Sequence, residues 1–144
     1  MIALIQRVKS ASVSVDSQLV AAIDLGLLVM IGFLRDDNFS DIERAVNKTV
    51  SYRVFEDTTG RMNRSVINVN GELLLVPQFT LGANTKKGNR PDFGDTMQSE
   101  MAESFFQQFV SLAAQKTKVQ SGIFGAHMEV ESINDGPATF IFGH

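Results

Sequence analysis

Residues 71–81, GELLLVPQFTL, contain the most informative strand of the chain. Residues 73–76 form an unbroken apolar run of strand length, which indicates a buried strand. Pro77 stops the run, because proline lacks the N–H group that a central position in a sheet uses. The sequence therefore predicts a buried strand that ends at residue 77 and leads directly into a polar cluster.

That cluster consists of Gln78, Phe79 and Thr80, which supply an amide, an aromatic face and a hydroxyl group. They follow a rigid strand at the start of a loop, where residues that hold a substrate are often found. A strand that simply ends in a turn has the same pattern, and three residues are too few to specify a site. From the residues alone, both interpretations stay open.

Other strands are predicted on both sides of this one. Residues 1–15 alternate between apolar and polar positions, as in a long strand or hairpin with one wet face. Residues 26–33, GLLVMIGF, form a second continuous apolar run, which is typical of a strand covered on both faces. The chain returns to strand character after Lys118. These strands predict most of a sheet.

Two helices are predicted to pack against that sheet. Ser40 and Glu43 have the spacing of a capping box, which predicts a helix over residues 41–52. Asp95 is placed to cap a second helix. The fold class expected is α/β (α+β), a single domain over residues 1–144 with a mixed β-sheet curled into a barrel and two α-helices outside. The apolar stripe of the second helix comprises Met97, Met101, Phe105, Phe109, Leu112 and Ala113.

Length and composition restrict the class of protein. The 144 residues fit one domain, and 44% hydrophobic with 20% charged residues is ordinary for a globular protein. No apolar run approaches the ~18–20 residues of a membrane span, and no leader pattern opens the sequence, so we expect a cytoplasmic protein without a membrane partner. The absence of cysteine excludes disulfides, thiolate nucleophiles and cysteine-ligated zinc.

The protein is acidic overall, but it contains one short cluster of basic residues. A formal net charge of −3 argues against a protein that coats nucleic acid through a broad basic surface. Lys86, Lys87 and Arg90 form a local basic cluster, which suits a protein that grips one end of an RNA. A solvated loop is the alternative for these three residues.

The usual catalytic machinery is not apparent in the sequence. His127 is predicted in a strand, His144 is terminal, and the histidines and carboxylates lack the spacing of metal ligands, so neither a metal nor a cofactor is expected. Glu56 and Asp57 are adjacent, so in a strand they point to opposite faces and cannot act on one bond. We interpret their surroundings as a tight connection between strands.

The residues that remain as candidates follow the predicted buried strand that ends at residue 77. They provide backbone amides, one amide side chain and one hydroxyl group. Such a site suits hydrolysis of an already activated bond, with the N–H groups of Phe79 and Thr80 holding the developing oxyanion and water as the nucleophile. Thr80 has no evident base to activate it, so it is expected to support the site instead of attacking.

A second motif lies at residues 134–139, NDGPAT. Gly136 can adopt backbone angles that other residues avoid, and a Gly-Pro bond can be cis at little cost. Strand-like sequence precedes and follows the motif, so we predict a turn between two strands. An ordinary turn would have the same sequence.

PQFTL and NDGPAT resemble the SQFTL and NxGPxT motifs of the D-aminoacyl-tRNA deacylases. Two departures from the family pattern are Pro77, in place of the usual Ser, and Ala138, in place of a larger apolar residue. The resemblance spans the chain, since four further segments follow in the family's order: IQRV at 5–8, RVFEDTTGRMN at 53–63, KKGNRPDF at 86–93 and SGIFGAHMEV at 121–130.

The resemblance implies a metal-independent hydrolase that cleaves the ester of D-aminoacyl-tRNA, and of mischarged glycyl-tRNA, in translation quality control. It implies a homodimer in which a cis Gly136–Pro137 pair enters the partner's active site and rejects L-amino acids through main-chain atoms. Asn134 and Phe93 complete the implied substrate contacts, and Arg7 is expected to support the site without touching substrate. The implied partner is the aminoacylated 3′ end of tRNA and not DNA, which lacks the ribose hydroxyl that would assist the water.

Two other functions fit the same residues. A binding module that captures an amino acid or the aminoacylated RNA end without cleaving it would need no acid, base or metal. An editing domain for L-amino acids that works beside a synthetase is the other alternative.

Overall fold

One long strand pairs with three others in the computed structural model, which describes residues 1–143. This strand, β1 (Ile2–Val15), is antiparallel to β2 (Gln18–Ile23) along its second half and to β3 (Gly26–Gly32) along its first half. Along its other edge it is antiparallel to the last strand, Glu129–Phe142. The alternating sequence of residues 1–15 is therefore one strand and not a hairpin.

The sheet continues from β3 through parallel strands. Between them, β4 (Phe55–Glu56) and β5 (Met62–Arg64) form a separate two-stranded hairpin. Then β6 (Glu72–Pro77) runs parallel to β3, and β7 (Lys118–Ser121) runs parallel to β6. The strand order is β2-β1-β3-β6-β7, and β2 also contacts β7, so the sheet is nearly closed.

Two helices cover the outside of the sheet: α1 (Phe39–Ser51) and α2 (Ser99–Ala114). The last strand, Glu129–Phe142, is named β8. The predicted mixed sheet, curled toward a barrel with two helices outside, is confirmed. Within residues 1–143, no helix is long and apolar enough to cross a membrane.

Two apolar clusters explain why the sequences of β3 and β6 are continuously apolar. Alternate side chains of a strand point to opposite faces, and here both faces are covered. The cluster between sheet and helices includes Leu27, Val29, Ile31, Leu73 and Leu75 with Phe105, Phe106 and Phe109 of α2. The cluster inside the curled sheet includes Val8, Val13, Leu28, Leu74 and Val76.

Helix α1 begins two residues earlier than the sequence analysis predicts. Asn38 is the N-cap: its side chain accepts a hydrogen bond from the backbone of Ser40, and the Asp41 side chain accepts one from the N–H of Asn38. The Ser40–Glu43 capping box was therefore wrong. The hydrogen bond from the N–H of Asn38, and after it the Arg44 side chain, lower the pKa of Asp41.

Helix α2 begins later than predicted, after Gln98, and Asp95 does not cap it. The Asp95 carbonyl accepts a hydrogen bond from Arg35, and the N–H of Met97 donates to Phe33. Residues 95–97 are thus bound to the segment that follows β3. Met97 is buried before the helix starts, whereas Met101 is exposed.

Candidate active site

A cleft of about 470 Å³ opens at the carboxyl end of β6. Three parts of the chain line it: residues 76–79, the start of α2 at Ser99 and Ala102, and residues 124–128 before β8. Val76 belongs to the cluster inside the sheet and Ala102 to the cluster under the helices, so the cleft lies where the two apolar layers meet. It therefore combines apolar walls with a few polar groups, as ligand sites commonly do.

Of the polar segment predicted from the sequence, Gln78 and Phe79 line this cleft, and Thr80 follows just outside the lining. The N–H of Gln78 donates to the carbonyl of Ile31 at 2.7 Å, after which residues Phe79–Gly82 form a short 3-10 helix. The Gln78 side-chain amide donates to the Thr80 hydroxyl. Among hydrogen bonds within residues 1–143, none uses the N–H of Phe79 or Thr80. Both N–H groups are therefore free to bind an oxygen atom of a ligand.

Pro77 fits the end of β6 without loss of a sheet hydrogen bond. It is the last residue of the strand, opposite Ile31 of β3. On the other side, β7 has already ended opposite Leu75. Pro77 also lines the cleft, so this departure from the family pattern contributes an apolar ring to the wall.

Gly32 holds the polar segment in place and was missed by the sequence analysis. A Cβ atom at residue 32 would lie 2.7 Å from the carbonyl oxygen of Gln78 and 3.1 Å from the Cβ of Leu81. Only glycine allows β3 to approach this carbonyl so closely. The sequence signal was available, because a glycine near the end of an apolar strand often marks a close backbone approach.

The loop after the 3-10 helix brings Phe93 next to the polar segment. Its base is fixed by paired hydrogen bonds between the backbones of Asn84 and Asp92, at 2.7 and 3.2 Å. The Phe93 ring then lies 5.1 Å from the Phe79 ring, centre to centre, and both rings are exposed. The two aromatic faces border the polar segment together.

The basic cluster lies at the tip of the same loop. Lys86, Lys87 and Arg90 fall between Asn84 and Asp92, and all three are exposed. Their loop is therefore anchored beside the aromatic pair.

The second motif lies within a strand and not in a turn between two strands, as predicted. Residues 134–139 are part of β8, but the pairing with β1 is irregular there: Gln6 faces Thr139 and Val8 faces Asn134. Five steps along β8 thus match two along β1, so residues 135–138 form a bulge. The Gly136–Pro137 bond in this bulge is cis, and Gly136 has φ +124°.

Asn134 fixes the two ends of the bulge. Its side-chain carbonyl accepts a hydrogen bond from the N–H of Ala138 at 2.9 Å, and its amide donates to the Thr139 hydroxyl at 3.0 Å. Ala138 is buried, so the chain enters and leaves the bulge at defined points. Asn134 is therefore occupied by contacts within the motif.

Arg7 holds the bulge from behind. Its Nε donates to the carbonyl of Asp135 at 3.0 Å and lies 3.5 Å from the Asp135 carboxylate, while Nη1 donates to the carbonyl of Val54 at 2.6 Å. The residue is 5% exposed. Arg7 therefore orients the backbone immediately before Gly136 instead of facing solvent.

The structure does not bring the two motifs together within one chain. None of the residues that line the cleft belongs to the bulge at 134–139. The cleft wall contains instead residues that the sequence analysis did not select, including Phe124 and Met128. His127 also lines the cleft from the exposed loop before β8 and is not in a strand, as predicted, whereas His144 lies outside the described residues.

The two adjacent carboxylates lie at the hairpin, away from the cleft lining. The Asp57 side chain accepts hydrogen bonds from the Thr59 hydroxyl at 2.7 Å and from the backbones of Thr59 and Arg61 at 2.8 and 3.2 Å. These bonds, first the one from the Thr59 hydroxyl, lower the pKa of Asp57 to about 2. Asp57 thus organises the turn of the hairpin.

The model of the D-Tyr-tRNA(Tyr) deacylase family matches residues 4–143. The chain belongs to this family. It is 46% identical over 143 residues to the D-aminoacyl-tRNA deacylase of Francisella tularensis subsp. tularensis (strain WY96-3418), covering 99% of each chain. It is 50% identical over 141 residues to the D-aminoacyl-tRNA deacylase of Shewanella frigidimarina (strain NCIMB 400), covering 97% of each.

Two solved structures share the fold of this family member. One is described as the c-Myc DNA Unwinding Element Binding Protein, with a TM-score of 0.95, 38% identity, and coverage of 100% of this chain and 99% of the other. The other is described as a probable eukaryotic D-amino acid tRNA deacylase, with a TM-score of 0.86 and 18% identity, covering 98% and 97%. At 18% identity, the second shows likeness of fold alone.

Proposed function

We propose that this protein hydrolyses the ester bond of D-aminoacyl-tRNA, releasing the D-amino acid and free tRNA, and so serves translation quality control. The family match over residues 4–143 and the names of the relatives at 46–50% identity support this activity. The observation that carries the proposal is a cleft lined by Phe79, whose N–H group and that of the adjacent Thr80 are free. An ester carbonyl that enters the cleft beside them gains two donors for its developing negative charge.

In this mechanism, the N–H groups of Phe79 and Thr80 stabilise the oxyanion, each donor contributing about 2.7–4 kcal/mol in other enzymes. Water attacks the carbonyl carbon, and the vicinal ribose hydroxyl of the terminal nucleotide assists it. The Thr80 hydroxyl accepts a hydrogen bond from the Gln78 amide, which is a donor and cannot take up a proton. Thr80 therefore supports the geometry of the segment and is not the nucleophile.

The chiral filter in this proposal comes from a second copy of the chain. Gly136 and Pro137 of one subunit enter the cleft of the other, where backbone carbonyls bind the α-ammonium of the substrate and leave room for hydrogen alone on one side. Arg7 supports this role, since it holds the carbonyl of Asp135 in a fixed direction. Rejection through main-chain atoms excludes every L-side chain, whereas glycine, which has no side chain, is accepted.

The RNA end approaches along the loop that ends at Phe93. Phe79 and Phe93 present exposed aromatic faces on which a base can stack, and the tip of the loop carries Lys86, Lys87 and Arg90.

Incubation with D-tyrosyl-tRNA, L-tyrosyl-tRNA and glycyl-tRNA tests the proposal. We expect rapid release of D-tyrosine and glycine and little release of L-tyrosine, with no loss of activity in a metal chelator. Phe79→Pro tests the role of the Phe79 N–H group. It removes one oxyanion donor at the first position of the 3-10 helix, where proline is tolerated, and should lower kcat by about 10²–10³-fold.

Two results would contradict the proposal. Tight binding of D-aminoacyl-tRNA without turnover would identify a binding module, which the lack of a base beside Thr80 would also permit. Faster hydrolysis of L-tyrosyl-tRNA than of D-tyrosyl-tRNA would identify an editing domain for L-amino acids.

A further inference from the structure

We infer that the β4–β5 hairpin is a second RNA-binding surface, which contacts phosphates next to the aminoacylated end of the tRNA. This inference rests on the proposed function, and it concerns a part of the chain that lies outside the cleft. Three observations carry it: the charge of the hairpin, its rigidity, and its attachment to the bulge at Gly136 and Pro137.

The charge on the hairpin is positive and unpaired. Arg53, Arg61 and Arg64 are all exposed, and none of them takes part in an ion pair within residues 1–143. The carboxylate of Asp57 is occupied by the hydrogen bonds of the turn, and Glu56 is the other acidic side chain of the hairpin. Three guanidinium groups without an ion-pair partner in twelve residues suit a phosphate backbone, which they can bind in a bidentate manner.

The hairpin holds two of these groups, those of Arg53 and Arg64, in defined positions. Arg53 donates to the side chain of Asn63 across the hairpin at 3.1 Å, and Arg64 donates to the carbonyl of Asn68 at 2.7 Å. The Asp57 side chain braces the turn between the two strands. A rigid basic surface loses less conformational entropy when it binds than a flexible loop does.

Arg7 connects the hairpin to the bulge. One nitrogen of its guanidinium group binds the carbonyl of Val54, the residue before β4, and another binds the carbonyl of Asp135, the residue before Gly136. The base of the hairpin and the bulge therefore lie on opposite sides of one buried side chain. Thr59 lies five residues beyond Val54, so the arm reaches at most roughly 16 Å from this base.

The placement has a consequence for the bound RNA. A bulge that meets the aminoacyl group brings the hairpin of the same subunit close to the nucleotides that precede the terminal one. The loop with Lys86, Lys87 and Arg90 belongs to the cleft, which in the proposed dimer comes from the other subunit. The RNA end is then held by basic side chains from both subunits.

The test compares two double variants with the same net charge. Arg61→Gln with Arg64→Gln removes two charges from the hairpin, and Lys116→Gln with Lys118→Gln removes two exposed charges elsewhere. Fluorescence anisotropy measures the affinity for uncharged tRNA between 50 and 200 mM salt. Each lost phosphate contact lowers the slope of log K against log salt by roughly 0.7–0.9, so the hairpin variant should show a slope shallower by about 1.5. The control should keep the slope of the unmodified protein.

A second measurement separates RNA contact from catalysis. The hairpin variant should cleave D-tyrosyl-adenosine, which has no phosphates, at the normal rate, while its KM for D-tyrosyl-tRNA rises. Arg61→Lys with Arg64→Lys, which keeps both charges, should restore most of the affinity. Thermal unfolding verifies that all variants are folded.

Several outcomes would overturn the inference. One is an unchanged slope of log K against log salt in the hairpin variant, and another is an equal change of this slope in both double variants. The third is a change of the slope for single-stranded DNA but not for tRNA. If the unmodified protein cleaves no D-aminoacyl-tRNA, the proposed function fails, but the slope for uncharged tRNA still decides whether the hairpin binds RNA.

Discussion

Arg7 and Gly136 show how two residues define one stretch of backbone. A buried guanidinium group is costly unless it is paired, and Arg7 satisfies this requirement with two carbonyl groups and the Asp135 carboxylate. Gly136 must lack a side chain, because a Cβ atom there would lie 2.7 Å from Nη2 of Arg7. The sequence indicates a special glycine in this motif, but it does not reveal that the glycine packs on an arginine far away in the chain.

Gly136→Ala should therefore disturb both Arg7 and the bulge. The added methyl group displaces the guanidinium, and φ of +124° is unfavourable for alanine, so we expect a loss of about 1–3 kcal/mol in the free energy of unfolding. Urea denaturation measures this loss, and assays with D- and L-tyrosyl-tRNA should show weaker discrimination. Gly60→Ala is the control, since Gly60 also has positive φ but no atom within 4 Å of a Cβ. Equal effects of the two substitutions would contradict the role assigned to Arg7.

Thr80→Ala should retain measurable deacylation. The substitution removes the hydroxyl that accepts a hydrogen bond from Gln78, but it leaves both backbone N–H groups in place. The loss in kcat should stay below about 100-fold, which is less than the loss of an oxyanion donor causes. Single-turnover assays with D-tyrosyl-tRNA measure the rate, and Thr80→Ser serves as the matched control. Complete loss of turnover with normal tRNA binding would make Thr80 the nucleophile.

At the scale of elements, sequence patterns predicted which strands and helices exist better than where they begin. The apolar runs at β3 and β6 follow directly from burial on both faces. Helix α2 starts later than its cap pattern predicts, because residues 95–97 bind the backbone that follows β3. The sequence predicts a turn where β8 has its bulge, because glycine and proline indicate an interruption of the strand. Pairing with β1, which the local sequence does not reveal, decides that the strand continues. Both errors arise from contacts between residues far apart in the sequence.

The β4–β5 hairpin makes a prediction about pH. Hydrogen bonds from Thr59 and Arg61 favour the ionised form of Asp57, so its pKa falls from 3.8 to about 2 in the folded protein. Because the folded pKa is the lower one, the stabilisation is complete above pH 3.8 and is lost as the pH falls through about 2. NMR titration of the Asp57 carboxyl carbon and of the Thr59 and Arg61 amides should give one midpoint near 2. A midpoint near 3.8 would show that these bonds do not form in solution.

At the scale of the molecule, β8 offers a surface for a second copy of the chain. Among the described residues, β8 pairs with β1 alone, so one edge of a fourteen-residue strand is left unpaired. Ile133 and Ile141 are 58% and 64% exposed on this strand. Long apolar edges are usually covered in native proteins, which favours the proposed homodimer.

Mixed dimers test whether the bulge acts across subunits. Homodimers with Phe79→Pro should be nearly inactive, and homodimers with Gly136→Ala should lack normal activity towards D-tyrosyl-tRNA or normal rejection of L-tyrosyl-tRNA; each variant is purified by its own tag. A heterodimer should recover one working site, with about half of the normal activity per dimer and normal discrimination between D- and L-tyrosyl-tRNA, because an intact cleft from one subunit meets an intact bulge from the other. Tandem purification after coexpression gives this species. An inactive heterodimer that is correctly folded would show that each bulge serves its own subunit.

The central position of β1 also determines the order in which the fold can be completed. Ala3 pairs with Phe142, and β8 pairs with β1 along nearly its whole length. During synthesis β1 emerges before every other strand, yet its partner β8 emerges after them. Closing so long a loop is slow, and an unpaired strand edge is prone to aggregate while it waits. The edge of β1 that binds β8 is therefore open to aggregation until residues 129–142 have been made.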